Sequence, residues 1–238
     1  MSIATKGLIV QRPQAPPGLI AIPVRTPLVR PGDDFIAVVA QTVRGIARPG
    51  DVVAVSESAV AIAQGELLGA ECVRPSKLAF AISRRADPMA TISQPESIQL
   101  VIDRVGPWRV IAATLLHLVA RLCGRRGAFY AVVGDAIAAV DGYTGTMAPY
   151  ERAIVFAPRD PNGFARRVYE QIGIACAVVD ANDLGKAKVL GRSSGVSAES
   201  VEGALLDNPH GNSDEQTPVV VLKWRGAGPN PLMRGDGS

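Results

Sequence analysis

Aromatic residues are scarce in this 238-residue chain, at 5%, so its core has to be built from Ala, Val, Ile and Leu. Cysteine is scarcer still: Cys72, Cys123 and Cys176 lie far apart, and none belongs to a CxxC pair. That spacing excludes a cysteine-rich zinc ribbon or finger. An odd, scattered set of thiols suits a reducing compartment. Long apolar runs are missing as well. The best candidate, Val110 to Leu122, is broken by Thr114, His117 and Arg121 and is too short to cross a bilayer. Met1 to Val10 has no basic region followed by a long apolar stretch, so no secretion signal is read there. Neither sign of charge is in large excess: 25 Lys and Arg against 22 Asp and Glu leave +3. This gives no electrostatic case for nucleic acid, and the short runs Arg125–Arg126 and Arg166–Arg167 read as solvated surface. The expectation is a cytoplasmic protein with a small-molecule substrate and no nucleic-acid or membrane partner.

The nucleotide-binding glycine signatures are also absent. No Gly-x-Gly-x-x-Gly occurs, and Gly185-Lys186 lacks the spacing of a Walker loop. Ser193 and Ser194 precede Gly195 with no histidine at a recognisable spacing, which argues against a hydrolase triad. His117 falls on the polar face of its predicted helix and reads as a surface residue.

What is present is 47% hydrophobic residues, enough for one large domain or two small ones that share a core. Leu19 to Val24 is a strand candidate. Arg30 to Asp34 is a turn, in which Asp33 or Asp34 can cap a helix from Phe35 to Ala47. Arg48-Pro-Gly-Asp51 stops that helix before a buried strand, Val52 to Val55. Ala59 to Leu68 fits either a strand or a helix. Helical spacing predicts Ser76 to Ser83, Ser97 to Val105 and Trp108 to Leu122, the last with Val110, Ile111, Leu115, Leu118, Val119 and Leu122 as one apolar face. The second half reads as strands at Phe129 to Val133, Ile137 to Val140, Ile154 to Phe156, Ala175 to Val179 and Val219 to Leu222. Helices are expected at Asn162 to Ile172 and Ser197 to Leu206. Arg225 to Ser238, rich in Gly and Pro, is expected to be a flexible tail.

Candidate chemistry sits in three polar segments. In the first, an apolar strand from Ala175 runs into Asp180, Asn182, Asp183 and Gly185. Open α/β sheets place ligands just past strand ends, and two carboxylates flanking an amide are hard oxygen donors suited to Mg²⁺, Mn²⁺ or Ca²⁺. The same residues also make an ordinary polar turn. The second segment, Leu206 to Pro218, is denser in polar side chains than a connection needs. Asp207, Asp214 and Glu215 are its metal candidates; Asn208, Asn212 and Thr217 could meet phosphate or base edges, and His210 sits among them. The third contains Asp135 and Asp141-Gly142. Asp141 reads as a hairpin turn, and Asp135 is open between a loop residue and a third metal carboxylate.

Taken in order, Ile22 to Asp34, Arg48 to Ser56, Phe156 to Pro161, the strand ending in Asp180 and the loop Asp207 to Thr217 resemble the γ-glutamyl ligases that act on the deazaflavin coenzyme F420-0. The resemblance covers about Ala21 to Leu222. It implies an α+β fold with an intertwined mixed sheet, working as a homodimer. One ligase-like domain would span 1–224, built from lobes of about 1–125 and 126–224, with 225–238 as tail. It also implies GTP as co-substrate and Mg²⁺ or Mn²⁺ as cofactor, in a reaction joining L-glutamate to a carboxylate. A carboxylate is a poor acyl donor, so its oxygen first takes a phosphoryl group, and divalent cations offset the charge that builds there. By position, Thr26, Pro27, Leu28 and Val29 match a nucleotide-contacting turn, with Ser56, Asn182 and Asn212 as further nucleotide candidates. Asp180 and Asp135 match metal aspartates, joined as candidates by Asp183, Asp207, Asp214 and Glu215. The chain departs from the pattern after the Val52 strand: Ser58 and Ile62 stand where the family has phosphate-binding lysines. Two functions follow, a nucleotide- and metal-dependent amide ligase, or a non-catalytic binding paralogue that kept the fold and lost the phosphate grip.

Overall fold

The computed structural model describes residues 18–85, 93–122, 128–134, 140–141, 148–182, 185–211 and 215–233. Two sheets organise them. The larger contains β1 (Leu19–Val24), β2 (Val52–Ser56), β6 (Ala175–Asn182), β7 (Lys186–Arg192) and β8 (Val219–Trp224), in the spatial order β1-β8-β2-β6-β7. The smaller contains β3 (Leu67–Gly69), β4 (Val140–Asp141) and β5 (Ala153–Phe156), in the order β3-β5-β4. Strands β2 and β6 are parallel, while β1–β8, β2–β8 and β6–β7 are antiparallel. Both sheets mix strands from the two halves of the sequence. The fold is α+β, as expected.

The centre of the larger sheet explains the continuous apolar runs. Val52, Val53, Ala54 and Val55 have no exposed surface, and neither do Val219 to Leu222. Strands covered on both faces need no alternation. On one face, Val53, Val55, Cys176, Val178, Val219 and Val221 join a core closed by α1 (Phe35–Val43), α2 (Glu57–Ala63) and α7 (Pro161–Ile172). There Phe35 and Phe164 place their rings 6.0 Å apart. On the other face, Val52, Ala54, Ala175, Ala177, Val179, Val220 and Leu222 pack with Val201 of α8 (Ala198–Ala204), Leu205 and Leu232. A separate helical lobe, α3 (Lys77–Ser83), α4 (Pro95–Val105), α5 (Pro107–Leu122) and α6 (Ala128–Val133), has its own core of Ala79, Ile98, Val101, Val110, Ala113, Phe129 and Val133.

Local chemistry fixes the helix starts. Asp34, not Asp33, caps α1: its Oδ1 accepts from Ala37 N at 3.1 Å, while Asp33 Oδ2 closes the preceding turn on Arg30 N at 2.7 Å. The ambiguous Ala59 to Leu68 stretch resolves into α2 followed by β3.

Five expectations are corrected. Phe129 to Val133 is helical, because Phe129 and Val133, four residues apart, both bury against α5 and its neighbours. Helix α1 stops at Val43, short of Ala47, before Gly45 at φ +78°. Asp141, read as a turn residue, pairs with Val155 as the last residue of β4, and Gly142 lies outside the described residues. Part of the apolar face read on α5 points outward: Leu115, Leu118 and Val119 are exposed, while Val110 of that face is buried, together with Ala113. Finally, residues 225–233 are held in place. Leu232 is fully buried, Ser197 N donates to Leu232 O at 2.8 Å, and Asn230 Nδ2 donates to Gly50 O at 2.6 Å. Strand β7 was not expected; it forms the sheet's edge, with Lys186 and Lys188 exposed.

Candidate functional site at the end of the larger sheet

Strand register brings distant segments to one end of the sheet. Val24 faces Val219 in β1–β8, Val55 faces Val219 in β2–β8, and Ser56 faces Val179 in β2–β6. The chain therefore leaves β1, β2 and β6, and enters β8, at the same end. Four segments meet there: the turn Arg25 to Val29, the start of α2, the β6–β7 hairpin carrying Asp180 and Asn182, and the approach to β8 through Thr217 and Pro218.

Main-chain bonds lock these segments together. Thr26 N donates to Gln216 O at 3.0 Å, and Ser56 N to Pro218 O at 2.8 Å. Arg25 Nε donates to Glu215 O at 3.1 Å. Within the turn, Thr26 is buried and its hydroxyl donates to Pro27 O at 2.8 Å. Val29 is buried in the core, Pro27 is exposed and Leu28 lies between. Tyr150 anchors the turn from the other half of the chain, its hydroxyl donating to Val29 O at 2.8 Å. Burial holds the Tyr150 phenol above its usual pKa, with Arg30 opposing and Asp33 adding to the effect.

His210 governs the loop before β8. Its Nδ1 lies 3.2 Å from Thr217 O, and Thr217 Oγ1 donates to His210 O at 2.6 Å. A carbonyl only accepts, so Nδ1 carries the proton and Nε2 presents its lone pair. That Nε2 is buried without a hydrogen-bond partner among the described residues. Burial lowers the His210 pKa from 6.5 to about 4, against a smaller opposing effect of the Thr217 carbonyl. The ring is therefore neutral near neutrality.

Asp180 lies one residue past the β2–β6 pairing and faces Lys188 across the β6–β7 ladder, with Asn182 facing Lys186. Loss of water around it raises the Asp180 carboxyl above its usual pKa, and the Lys188 cation partly offsets this. These four polar side chains alternate with Ala181 and Ala187, which pack on the opposite core. Asp207 is exposed beyond α8, and Glu215 packs beside Gly211. Among the described residues, no three His, Cys, Asp or Glu side chains gather closely enough to hold a metal ion. Asp180, Asp207 and Glu215 thus make no metal centre by themselves. Asp135, Asp183, Asn212 and Asp214, also proposed from the sequence, lie outside the described residues.

The two positions aligned with family lysines differ sharply. Ser58 is half-buried in the first turn of α2, whereas Ile62 lies within the apolar core. Arg25 and Tyr150 were missed as site-building residues. Nothing in the sequence links Tyr150 to a carbonyl 121 positions away.

A family model described as F420-0:Gamma-glutamyl ligase matches residues 23–182. That match starts at the end of β1 and stops at the end of β6, so both its limits fall at the sheet end just described. The chain belongs to the F420-0:gamma-glutamyl ligase family. No curated protein matches the chain. Ligase-like chemistry on a small molecule is what the family suggests. No helix among the described residues is long and apolar enough to cross a membrane.

Proposed function

We propose that the chain is a divergent ligase of this family, joining L-glutamate or a related amine to a carboxylate with GTP and Mg²⁺ or Mn²⁺, as a cytoplasmic homodimer. The supporting observation is the parallel pairing of β2 with β6, which sets Ser56 beside Val179, next to Asp180, inside the matched span. Carboxyl ends of parallel strands are where open sheets hold ligands. In such a reaction a carboxylate oxygen takes the γ-phosphoryl group of GTP and releases GDP. The amine nitrogen then attacks the acyl carbon and phosphate leaves. The turn Thr26 to Val29, with Ser56, Asn182 and Asn212, would meet the nucleotide. A metal role for Asp180 needs further carboxylates from Asp183, Asp135, Asp207, Asp214 or Glu215. Lys186 and Lys188 supply cationic charge beside Asp180.

A second reading, a binding paralogue without turnover, is favoured by Ser58, a half-buried hydroxyl in the first turn of α2 where the resemblance puts a phosphate-binding lysine. Thermal-shift measurements with GTP, ATP, Mg²⁺ and Mn²⁺ test both, because ligand at 100 times its Kd stabilises the folded state by about 2.7 kcal/mol. A metal-dependent rise in Tm with GTP, together with GDP release in the presence of glutamate and a carboxylate acceptor, is the expected result. A ligand-dependent rise without GDP release favours the binding paralogue. No rise with any of them overturns the nucleotide assignment.

A further inference from the structure

Residues 215–218 form a short strap between the polar loop and β8, and all four of their carbonyls are engaged. Glu215 O accepts from Arg25 Nε at 3.1 Å, Gln216 O from Thr26 N at 3.0 Å, Thr217 O from His210 Nδ1 at 3.2 Å and Pro218 O from Ser56 N at 2.8 Å. In a regular strand successive carbonyls alternate between two neighbours. Here they reach three separate segments: the turn after β1, the last residue of β2 and the loop after α8. The strap bends at Gln216, whose φ of +53° lies in the left-handed region that residues other than glycine seldom enter. Such a conformation persists only where surrounding bonds over-determine it.

Three of the four bonds run outward, to Arg25, Thr26 and Ser56. The fourth runs back into the loop, and it is doubled: Thr217 Oγ1 donates to His210 O at 2.6 Å while the His210 ring donates to Thr217 O. His210 is itself fixed. Its ring is buried, Gly211 N donates to Asn208 O at 3.0 Å, and Asn208 N donates to the carbonyl of the fully buried Leu205 at 2.9 Å. A continuous path of main-chain and imidazole bonds therefore leads from the core beneath α8, through His210 and Thr217, to Thr26 and Ser56.

We infer that His210 is a positioning residue: its reciprocal bonds with Thr217 hold the strap at the angle that presents the Thr26 turn and Ser56 at the sheet end. Those two segments are the ones assigned above to the nucleotide, so the consequence for binding rests on that reading. His210 acts through the strap and touches no ligand.

The test uses the full chain and two readouts: GTP affinity in the presence of Mg²⁺ by calorimetry, and amide hydrogen exchange at Thr26 and Ser56 by NMR. His210→Asn keeps a donor where Nδ1 lies, whereas His210→Gln moves the amide out to the place of Nε2. Loss of one neutral hydrogen bond corresponds to about fivefold in an equilibrium. His210→Gln should raise the GTP Kd about fivefold and quicken exchange at both amides by a similar factor, while His210→Asn stays near wild type in both. Thr217→Val keeps the side-chain shape, loses the hydroxyl and should move both readouts the same way. Asn230→Ala is the comparator. It removes a hydrogen bond to Gly50 O at the opposite end of the sheet, and should lower Tm while leaving both readouts at wild-type values. The proposal is overturned if His210→Gln leaves both amides as protected as in wild type. It is also overturned if His210→Asn and Asn230→Ala disturb them as much as His210→Gln does, or if exchange quickens while the GTP Kd stays fixed. A wild type that binds no GTP overturns the nucleotide reading alone, and exchange at Thr26 and Ser56 then decides the role of His210.

Discussion

Lowering the pH should destabilise the chain through one identifiable side chain, His210. An unfolded histidine takes its proton near 6.5, whereas in the fold burial holds His210 down to about 4. Protonation would turn Nε2 into a donor in a buried position with no acceptor among the described residues. Between those two values the unfolded chain binds more protons than the folded one, so stability falls as pH falls through that window. Above 6.5 neither state is protonated and the contribution is intact; below about 4 both are protonated and the loss is complete. At about 1.36 kcal/mol per pH unit, the gap amounts to roughly 3 kcal/mol. Carboxylates also titrate over this range, so the informative quantity is a difference. Urea unfolding of wild type and His210→Asn across the pH series should show the extra slope in wild type alone. Asparagine keeps a donor near the Nδ1 position for the Thr217 carbonyl. The chain has two histidines, so ring resonances in NMR can be assigned by that one substitution. A His210 ring titrating near 6.5, or an unchanged slope in His210→Asn, refutes the assignment of tautomer and burial.

Three further outcomes are expected. Gly191→Ala would drive a Cβ into the Pro161–Asn162 backbone, costing about 3 kcal/mol, read as a lower urea midpoint. Asp160 caps α7 from a left-handed backbone at φ +44°, accepting from Gly163 N at 2.9 Å. Asp160→Ala should therefore lose about 2 kcal/mol in urea unfolding, while Asp160→Asn stays within about 0.5 kcal/mol, because asparagine both caps and tolerates that conformation. Lys188→Ala should raise the Asp180 pKa further by removing the cation that opposes desolvation; an unmoved carboxyl titration in NMR would show that the cross-strand pair is not coupled.

Where the sequence was legible, burial and period agreed. The runs at Val52 and Val219 are fully enclosed strands, and the i, i+4 spacing of Phe164 and Val168 marks the buried side of α7. It misled where a short segment fits two structures. Ala128 to Val133 is rich in aromatic and β-branched residues, which favour strands, yet packing against α5 made it a helix. Strand β7 carries a visible alternation in Lys186-Ala-Lys188-Val, but so short a polar stretch fits a loop as well as an edge strand. The α5 stripe shows the limit of periodicity: it says which side is apolar, not whether that side faces inward. For the site, strand ends exposed Asp180 and Asn182 in advance. Pairings such as Thr26 with Gln216, or Tyr150 with Val29, depend on sheet order, which no local pattern encodes.

The position of charge bears on what was lost in this branch of the family. Alignment puts an isoleucine and a serine where phosphate-binding lysines are expected, and that alone suggests an abandoned nucleotide site. The fold weakens this inference for one of the two positions. Ile62 belongs to the core that also holds Val60 and Val155, so its side chain is in no position to meet a phosphate at the sheet end. Ser58 remains a real substitution, in the first turn of α2, a helix without a lysine or arginine. Cationic side chains at this end of the sheet come instead from Arg25 and from Lys186 and Lys188 on the edge strand. Both lysines of that strand are exposed, so each ammonium keeps its hydration until a ligand arrives. Under the proposed ligase reading, the charge for gripping an anion therefore comes from the β6–β7 hairpin, where Asp180 and Lys188 face each other, and not from α2.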